Sequence, residues 1–317
     1  MKVSLIGAGE WGVALAEVLA YNGHKVLIWS KDEDDIKSIN KYHTSKHYEG
    51  YKLSKGIKAS SSLEEIFNYS KDIVISLPVP YIIETLKEYF IKYDNKNILL
   101  TSKGLFKEKR ISALITEINP NLKIAILSGP SFAKEVIKKY QTAVVIASNK
   151  LALAKHFQKL FTNIYFRAYT SKDVIGLEYL GALKNVYAIA SGLIEGRGLG
   201  YNTKCAMITR AITELERVVV YYGGKKDTLL GLGGMGDLIL TCSSPLSRNF
   251  SYGKSYFSER LDESKYTIEG IKTLKEVYTL SVDNSLHTPI INALYEVLFL
   301  NQDFDLVLNK LMSRKLS

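Results

Sequence analysis

The sequence predicts an α/β protein with a doubly wound N-terminal domain, residues 1–169, followed by an all-helical C-terminal domain, residues 170–317. Three observations predict it. Short β-rich runs alternate with helical patterns up to Thr170, strand signals nearly vanish beyond it, and the first strand runs directly into a glycine-spaced turn that opens a helix. Alternation of this kind builds a parallel sheet with helices packed on its faces.

The β-rich runs are residues 3–6, 25–29, 73–77, 97–101, 123–127 and 143–147, with a further strand at 164–168. Between them, residues 11–21 and 81–91 carry apolar side chains three to four apart, and 32–40 begins with acidic residues suited to the positive end of a helix dipole. These are the crossover helices. Residues 42–58 lack a clear period and are expected to form an exposed loop. In the second half, 173–193 and 202–222 read as long buried helices, the latter capped by Asn202 and stopped by Gly223 and Gly224. Shorter helices follow at 267–278 and 289–298, with Pro289 placed where a first helical turn tolerates proline.

At 317 residues, with 46% hydrophobic and 23% charged, the chain buries a substantial core and is not a disordered protein. No apolar run reaches the ~20 residues that span a bilayer, so no transmembrane segment is expected. Lys2 and the apolar residues after it imitate a signal peptide, but Glu10 and Glu17 interrupt the stretch. Cys205 and Cys242 lie far apart in no metal-like spacing, which predicts a cytoplasmic chain with reduced thiols and no disulfide. The formal net charge of +10 is compatible with nucleic acid, an anionic surface or small anionic ligands. The lysines are scattered without a basic block or a nucleic-acid motif, so no nucleic-acid partner is expected and an ordinary solvated surface accounts for most of them. Assembly as a homodimer is left open.

The strand at 3–6 leads into Gly7-Ala8-Gly9-Glu10-Trp11-Gly12, the G-x-G-x-x-G spacing in the strand-turn-helix context of a Rossmann-type domain. Gly7 makes the tight turn, Gly9 lets backbone N–H groups approach a pyrophosphate, and Gly12 lets helix and strand pack closely; the helix N-terminus adds its positive dipole end. An NAD-selective site usually ends its second strand on Asp or Glu, whereas this chain reads Trp29-Ser30-Lys31. The missing carboxylate and nearby cation suit the 2′-phosphate of NADPH; Asp32 pulls the other way. The expected cofactor is therefore NADPH or NADH. Glu10 is awkward beside a pyrophosphate unless its side chain turns to solvent.

Four further segments carry candidate chemistry. Lys103, in Ser102-Lys103-Gly104, follows a strand at the end where open α/β sheets bind ligands, although a lone loop lysine explains it equally. Ser128-Gly129-Pro130-Ser131-Phe132-Ala133 follows the next strand, and its small residues leave N–H groups and a hydroxyl free for a ligand; a plain turn is the alternative. Lys184 and Asn185 interrupt an apolar helix, where a lysine either snorkels to solvent or is retained for proton transfer. Gly231-Leu232-Gly233-Gly234-Met235-Gly236-Asp237-Leu238 leads on to Ser247-Arg248-Asn249: Asp237 suits an ammonium or hydroxyl partner and Arg248 a phosphate, against the reading of a glycine-rich loop with a surface arginine. The five histidines, His24, His43, His47, His156 and His287, lie outside all these segments, which argues against a histidine-based dehydrogenase and against a metal site.

Taken in order, Gly7-Ala8-Gly9-Glu10-Trp11-Gly12, Ser102-Lys103-Gly104, Ser128-Gly129-Pro130-Ser131-Phe132-Ala133, Leu183-Lys184-Asn185-Val186, Gly236-Asp237-Leu238 and Ser247-Arg248-Asn249 resemble the bacterial NAD(P)-dependent glycerol-3-phosphate dehydrogenases. The resemblance implies reduction of dihydroxyacetone phosphate to sn-glycerol 3-phosphate, with Lys184 as the proton donor and Lys103 and Asp237 beside it in the catalytic group. It implies substrate contacts from Lys103, Gly129, Ser131, Lys184, Asp237, Ser247, Arg248 and Asn249. Cofactor contacts fall on Gly7, Gly9, Glu10, Trp11, Gly12, Lys31, Lys103, Ala133 and Arg248, with Thr267 and Glu269 toward the nicotinamide. The family places its active site between the two domains. Glu10, where the family usually has a small residue, and Met235, where leucine is common, depart from its pattern. Another small-hydroxy-acid dehydrogenase would share the glycine turn but not need the Arg248 cation; a basic nucleotide sensor would share the first domain and lack the activity.

Overall fold

The alternation expected of the first half builds one sheet. The computed structural model describes residues 1–258 and 268–313. Its N-terminal elements are β1 (Lys2–Ile6), α1 (Glu10–Tyr21), β2 (Lys25–Trp29), α2 (Glu33–Lys37), a wide helical turn at Ser38–Tyr42, β3 (Ile57–Ser60), α3 (Leu63–Tyr69), β4 (Asp72–Ile75), α4 (Val79–Lys92), β5 (Asn97–Leu100), β6 (Leu105–Phe106), β7 (Lys109–Arg110), α5 (Ile111–Ile118), β8 (Lys123–Ser128), α6 (Ala133–Val136), β9 (Thr142–Ala147), α7 (Leu151–Phe161) and β10 (Phe166–Ser171). Among the described residues, eight strands share one sheet in the order β10-β9-β8-β5-β4-β1-β2-β3, and β6 and β7 form a separate small ribbon. Neighbours in the large sheet pair in parallel except β8 and β9, where Leu127 lies opposite Ile146 in antiparallel register. The winding reverses between β1 and β4, and in sheets of this kind the carboxyl ends at that reversal receive the ligand.

The strands are apolar on both faces because helices cover both. Leu5, Ile28, Val74 and Leu99 of the sheet are buried with Val13, Leu15, Val18 and Leu19 of α1 and Phe157 and Phe161 of α7 in one core. The segment 42–58 departs from the exposed loop expected of it. Tyr48, Leu53 and Ile57 are buried, the Tyr48 hydroxyl donates to the Glu10 carbonyl oxygen at 2.6 Å, and the Ser54 hydroxyl donates to the Glu17 carboxylate at 2.8 Å. Its apolar residues are spaced to seat on α1, so they follow neither the helical nor the strand period. The segment ends in β3, a strand that pairs with β2 from Val26 opposite Ile57 to Trp29 opposite Ser60.

The second compact unit comprises Gly104–Lys109 and Ile175–Ser317. Its helices are α8 (Val174–Gly196), α9 (Gly200–Tyr221), α10 (Lys226–Leu229), α11 (Asp237–Ser243), α12 (Arg248–Lys254), α13 (Glu269–Asp283), α14 (Pro289–Phe299) and α15 (Phe304–Met312). The two compact units part between Val174 and Ile175, beyond the pairing of β10 with β9 that runs through Ser171. Gly104–Lys109 goes with the helices because the Lys107 and Glu108 N–H groups donate to the Glu276 carboxylate of α13. Helix α8 runs through the core: Leu177, Leu180, Leu183, Val186 and Tyr187 are all essentially inaccessible, which fits a helix apolar nearly all round. Helix α9 starts at Gly200 instead of being capped by Asn202, and stops as expected at Gly223, whose φ is +88°.

Candidate active site

In the N-terminal unit the candidate groups lie at the carboxyl ends of strands. Gly7 holds φ at +112°, and a Cβ there would sit 2.7 Å from the carbonyl oxygen of Ser76, the residue that follows the neighbouring strand β4. A Cβ on Gly12 would lie 1.9 Å from the Gly7 carbonyl oxygen, so α1 approaches the turn as closely as two backbones can. A Cβ on Gly9 meets nothing within 4 Å. The turn is thus packed tight on its protein side and open at Gly9, the cradle a diphosphate needs beside the α1 N-terminus. Trp11 and Ala133 are half-buried against the core next to it. Glu10 is the first residue of α1, where the helix dipole favours a carboxylate.

At the end of β2, Lys31 is exposed. Asp32 is occupied locally: its carboxylate accepts the Asp34 N–H at 2.9 Å as the cap of α2 and pairs with Lys46 at 2.5 Å, and both partners hold it below the usual carboxylate range. Lys103 follows β5 and Gly129 follows β8, adjacent strands paired from Asn97 with Lys123 to Leu100 with Ile126. The Lys103 Nζ donates to the Gly129 carbonyl oxygen at 3.4 Å, and the Ser131 hydroxyl donates to the same oxygen at 2.9 Å. Gly129 has φ +142°, and its Cα side lies against Val144, where a Cβ would come within 3.0 Å. Three predicted residues therefore converge on one peptide.

In the C-terminal unit the candidates are side chains. Lys184 does not snorkel out: it is 7% exposed, forms an ion pair with Asp237, itself 1% exposed, and donates to the Thr241 hydroxyl at 2.9 Å. Thr241 in turn donates to the Asp237 carbonyl oxygen at 2.6 Å. Asp237 and Thr241 stand four residues apart and so share one face of α11. Thr241 was missed in the sequence, and that spacing from Asp237 was the signal for it. Next along α8, the Asn185 side-chain amide donates to the Glu269 carboxylate at 3.2 Å. Asn249 is also buried, and its side-chain oxygen accepts the Gly270 N–H at 2.9 Å. The Ser247 hydroxyl accepts the Phe250 N–H at 3.2 Å as the cap of α12, while Arg248, one residue on, is exposed. Thr267 lies outside the described residues.

This geometry belongs to a class, the dinucleotide-dependent oxidoreductases that add a second, helical unit to a Rossmann-type sheet. The pattern described as NAD-dependent glycerol-3-phosphate dehydrogenase N-terminus matches residues 2–154, and the corresponding C-terminus pattern matches 173–309. A glycerol-3-phosphate dehydrogenase of Staphylococcus carnosus, NAD(P)+-dependent by name, is 41% identical over 99% of this chain and 98% of its own; one from Staphylococcus aureus is 40% identical over the same shares. The crystal structure of the glycerol-3-phosphate dehydrogenase of Coxiella burnetii superimposes with a TM-score of 0.93 at 32% identity, covering 99% of both chains. The chain belongs to the NAD-dependent glycerol-3-phosphate dehydrogenase family. No helix among the described residues is long and apolar enough to cross a membrane.

Proposed function

We propose that the chain interconverts dihydroxyacetone phosphate and sn-glycerol 3-phosphate with NADPH or NADH, serving glycerophospholipid synthesis in the cytoplasm. The observation that carries this reading is the buried Lys184–Asp237–Thr241 cluster. Reduction places a hydride on C2 and a proton on its oxygen; the bound nicotinamide coenzyme supplies the hydride. Lys184 Nζ gives the proton to that oxygen and takes it back in the oxidative direction. Asp237 and Thr241 hold the ammonium in register, so it needs no reorganisation when the oxygen becomes basic. Arg248 meets the phosphate with its planar fork, and the Asn249 amide and Ser247 hydroxyl add contacts from the same turn. Lys103, Gly129 and Ser131 are the substrate contacts we assign to the N-terminal unit.

The backbone of the turn from Gly7 to Gly12 cradles the diphosphate, open at Gly9 and the Glu10 N–H and held tight by Gly7 and Gly12, with Trp11, Ala133, Lys103 and Arg248 as further coenzyme contacts. Glu269, oriented by Asn185, is assigned to the nicotinamide end. NADPH is the favoured coenzyme in this reading. Its support is the exposed Lys31 together with Asp32, whose carboxylate is engaged by the α2 cap and Lys46. Oxidation of NADPH and NADH followed with dihydroxyacetone phosphate and with unphosphorylated dihydroxyacetone tests the whole. Turnover of the phosphate ester is expected, with kcat/KM lower by ~100-fold or more when the phosphate is missing, because a site built for a charged group leaves it unpaired. Absence of turnover with either coenzyme overturns the reading.

A further inference from the structure

Lys204, on the first turns of α9, is a buried cation that the chemistry above does not use. It is 7% exposed, pairs with Glu195 near the end of α8 at 2.7 Å, and lies 4.7 Å from the ring centroid of Phe250 in α12. Glu195 also takes Lys254, at the far end of α12, at 3.0 Å. Burying an ammonium is costly, so a side chain kept there in place of a methionine of similar length calls for a reason beyond stability.

The contact between α8 and α12 supplies one. It is a seam of glycines: a Cβ on Gly192 would lie 2.1 Å from the Phe250 carbonyl oxygen, one on Gly196 2.2 Å from that of Lys254, and one on Gly253 2.2 Å from that of Ile189. Helices normally take their relative register from side-chain ridges set into grooves. A seam where backbone meets backbone offers only shallow notches in place of side-chain ridges, so the polar ties at its ends add to what fixes how far one helix slides along the other. Here α8 carries Lys184 and the first residue of α12 is Arg248, so that sliding coordinate is the spacing between proton donor and phosphate clamp. At the near end the Asn249 bond to Gly270 ties α12 to α13; at the far end Glu195 holds Lys254 and Lys204 together.

We propose that Lys204 and Glu195 are positioning residues that set the register of α12 on α8 and thereby place Arg248 relative to Lys184. The kinetic part of the inference rests on the function proposed above; the geometric part does not. In Lys204→Met the KM for dihydroxyacetone phosphate is expected to rise ~10-fold while kcat stays within ~3-fold, the pattern of lost ground-state positioning, and the KM for NADPH rises less because Arg248 is one coenzyme contact among several. Lys204→Arg, which keeps the charge, restores most of the loss. Glu195→Gln, milder because its amide oxygen still accepts from one of the two lysines, gives a smaller rise in the same parameter and guards against a Met variant that fails to fold. A crystal structure of Lys204→Met shows α12 displaced along α8. Unmoved α12, or an unchanged KM for dihydroxyacetone phosphate in both variants, overturns the inference; a wild type inactive on dihydroxyacetone phosphate overturns the function and leaves the crystallographic test standing.

Discussion

At the carboxyl ends of β1 and β8, Gly7 and Gly129 hold positive φ angles and present backbone, and at Gly129 the Lys103 and Ser131 side chains turn onto the peptide oxygen. In α8 and α11 the opposite holds: Lys184 and Asp237 are buried side chains, each satisfied by the other before any substrate arrives. In the function proposed above, the difference follows from what each half has to bind. A diphosphate carries charge on many oxygens and is met by N–H groups and a helix end, which require close backbone approach. A single carbonyl oxygen needs one proton at one point, and only an oriented side chain delivers that. If this contrast is right, damage to the glycine turn after β1 should appear in coenzyme binding and damage to the Lys184–Asp237 pair in turnover.

The largest expected effect is in the second half. Lys184→Ala should lower kcat by ~100-fold or more, the scale of a lost general acid, while NADPH still binds, as read by quenching or enhancement of coenzyme fluorescence. The variant also removes the ion-pair partner of the buried Asp237 carboxylate, which costs ~3 kcal/mol of stability, so a melting curve must accompany the kinetics. Wild-type turnover in a folded variant would remove Lys184 from the chemistry.

The same contrast explains what could be seen in advance. The glycine turn was legible because its constraint is local: three glycines at fixed spacing after a strand state their own geometry. The alternation of strands and helices was legible for the same reason, since period reports burial. Tertiary pairings were not. Thr241 meets Lys184 across 57 residues of sequence, and nothing in either segment names the other. β3 escaped notice because only Ile57 and Ala59 of its four residues are buried, too brief an alternation at a sheet edge to stand out beside Lys58 and Ser60. The buried seats of Tyr48 and Leu53 depend on α1 being there to receive them.

Away from the chemistry, the helical unit also commits charge to its frame, and that gives a prediction of intermediate size. Glu214 of α9 accepts the Ile290 and Ile291 N–H groups at 2.9 and 3.0 Å, capping α14 behind Pro289, and the Tyr187 hydroxyl donates to it at 3.2 Å. Burial pushes its carboxyl up to about 7, against the pull of those hydrogen bonds and of Arg217. The folded chain therefore keeps a proton there that the unfolded chain releases near 4.5. By linkage, the native state is favoured fully below that lower value and loses the contribution as pH rises toward 7, by at most ~3 kcal/mol. Urea unfolding of wild type and Glu214→Gln at pH 5 and pH 8 isolates the group. The wild type should lose more stability across the interval than the variant, and parallel losses would show that Glu214 does not titrate there.

The smallest effect sharpens the comparison most, because it separates two glycines of one turn. Gly12 serves the fold: its missing Cβ is what lets α1 reach the Gly7 carbonyl, and alanine there has to push backbone aside. Gly9 has φ −71°, which alanine adopts freely, and open space where its Cβ would go. Gly9→Ala should leave the melting temperature of the protein unchanged or slightly raised, since alanine also restricts the unfolded chain. In the proposed reading the added methyl lies where the diphosphate comes close, so the KM for NADPH should rise by ~10-fold with kcat at saturating coenzyme little altered. Equal KM values for the two proteins would mean that the diphosphate does not approach over Gly9, and the backbone half of the comparison would have to be rebuilt around the N–H groups further along α1.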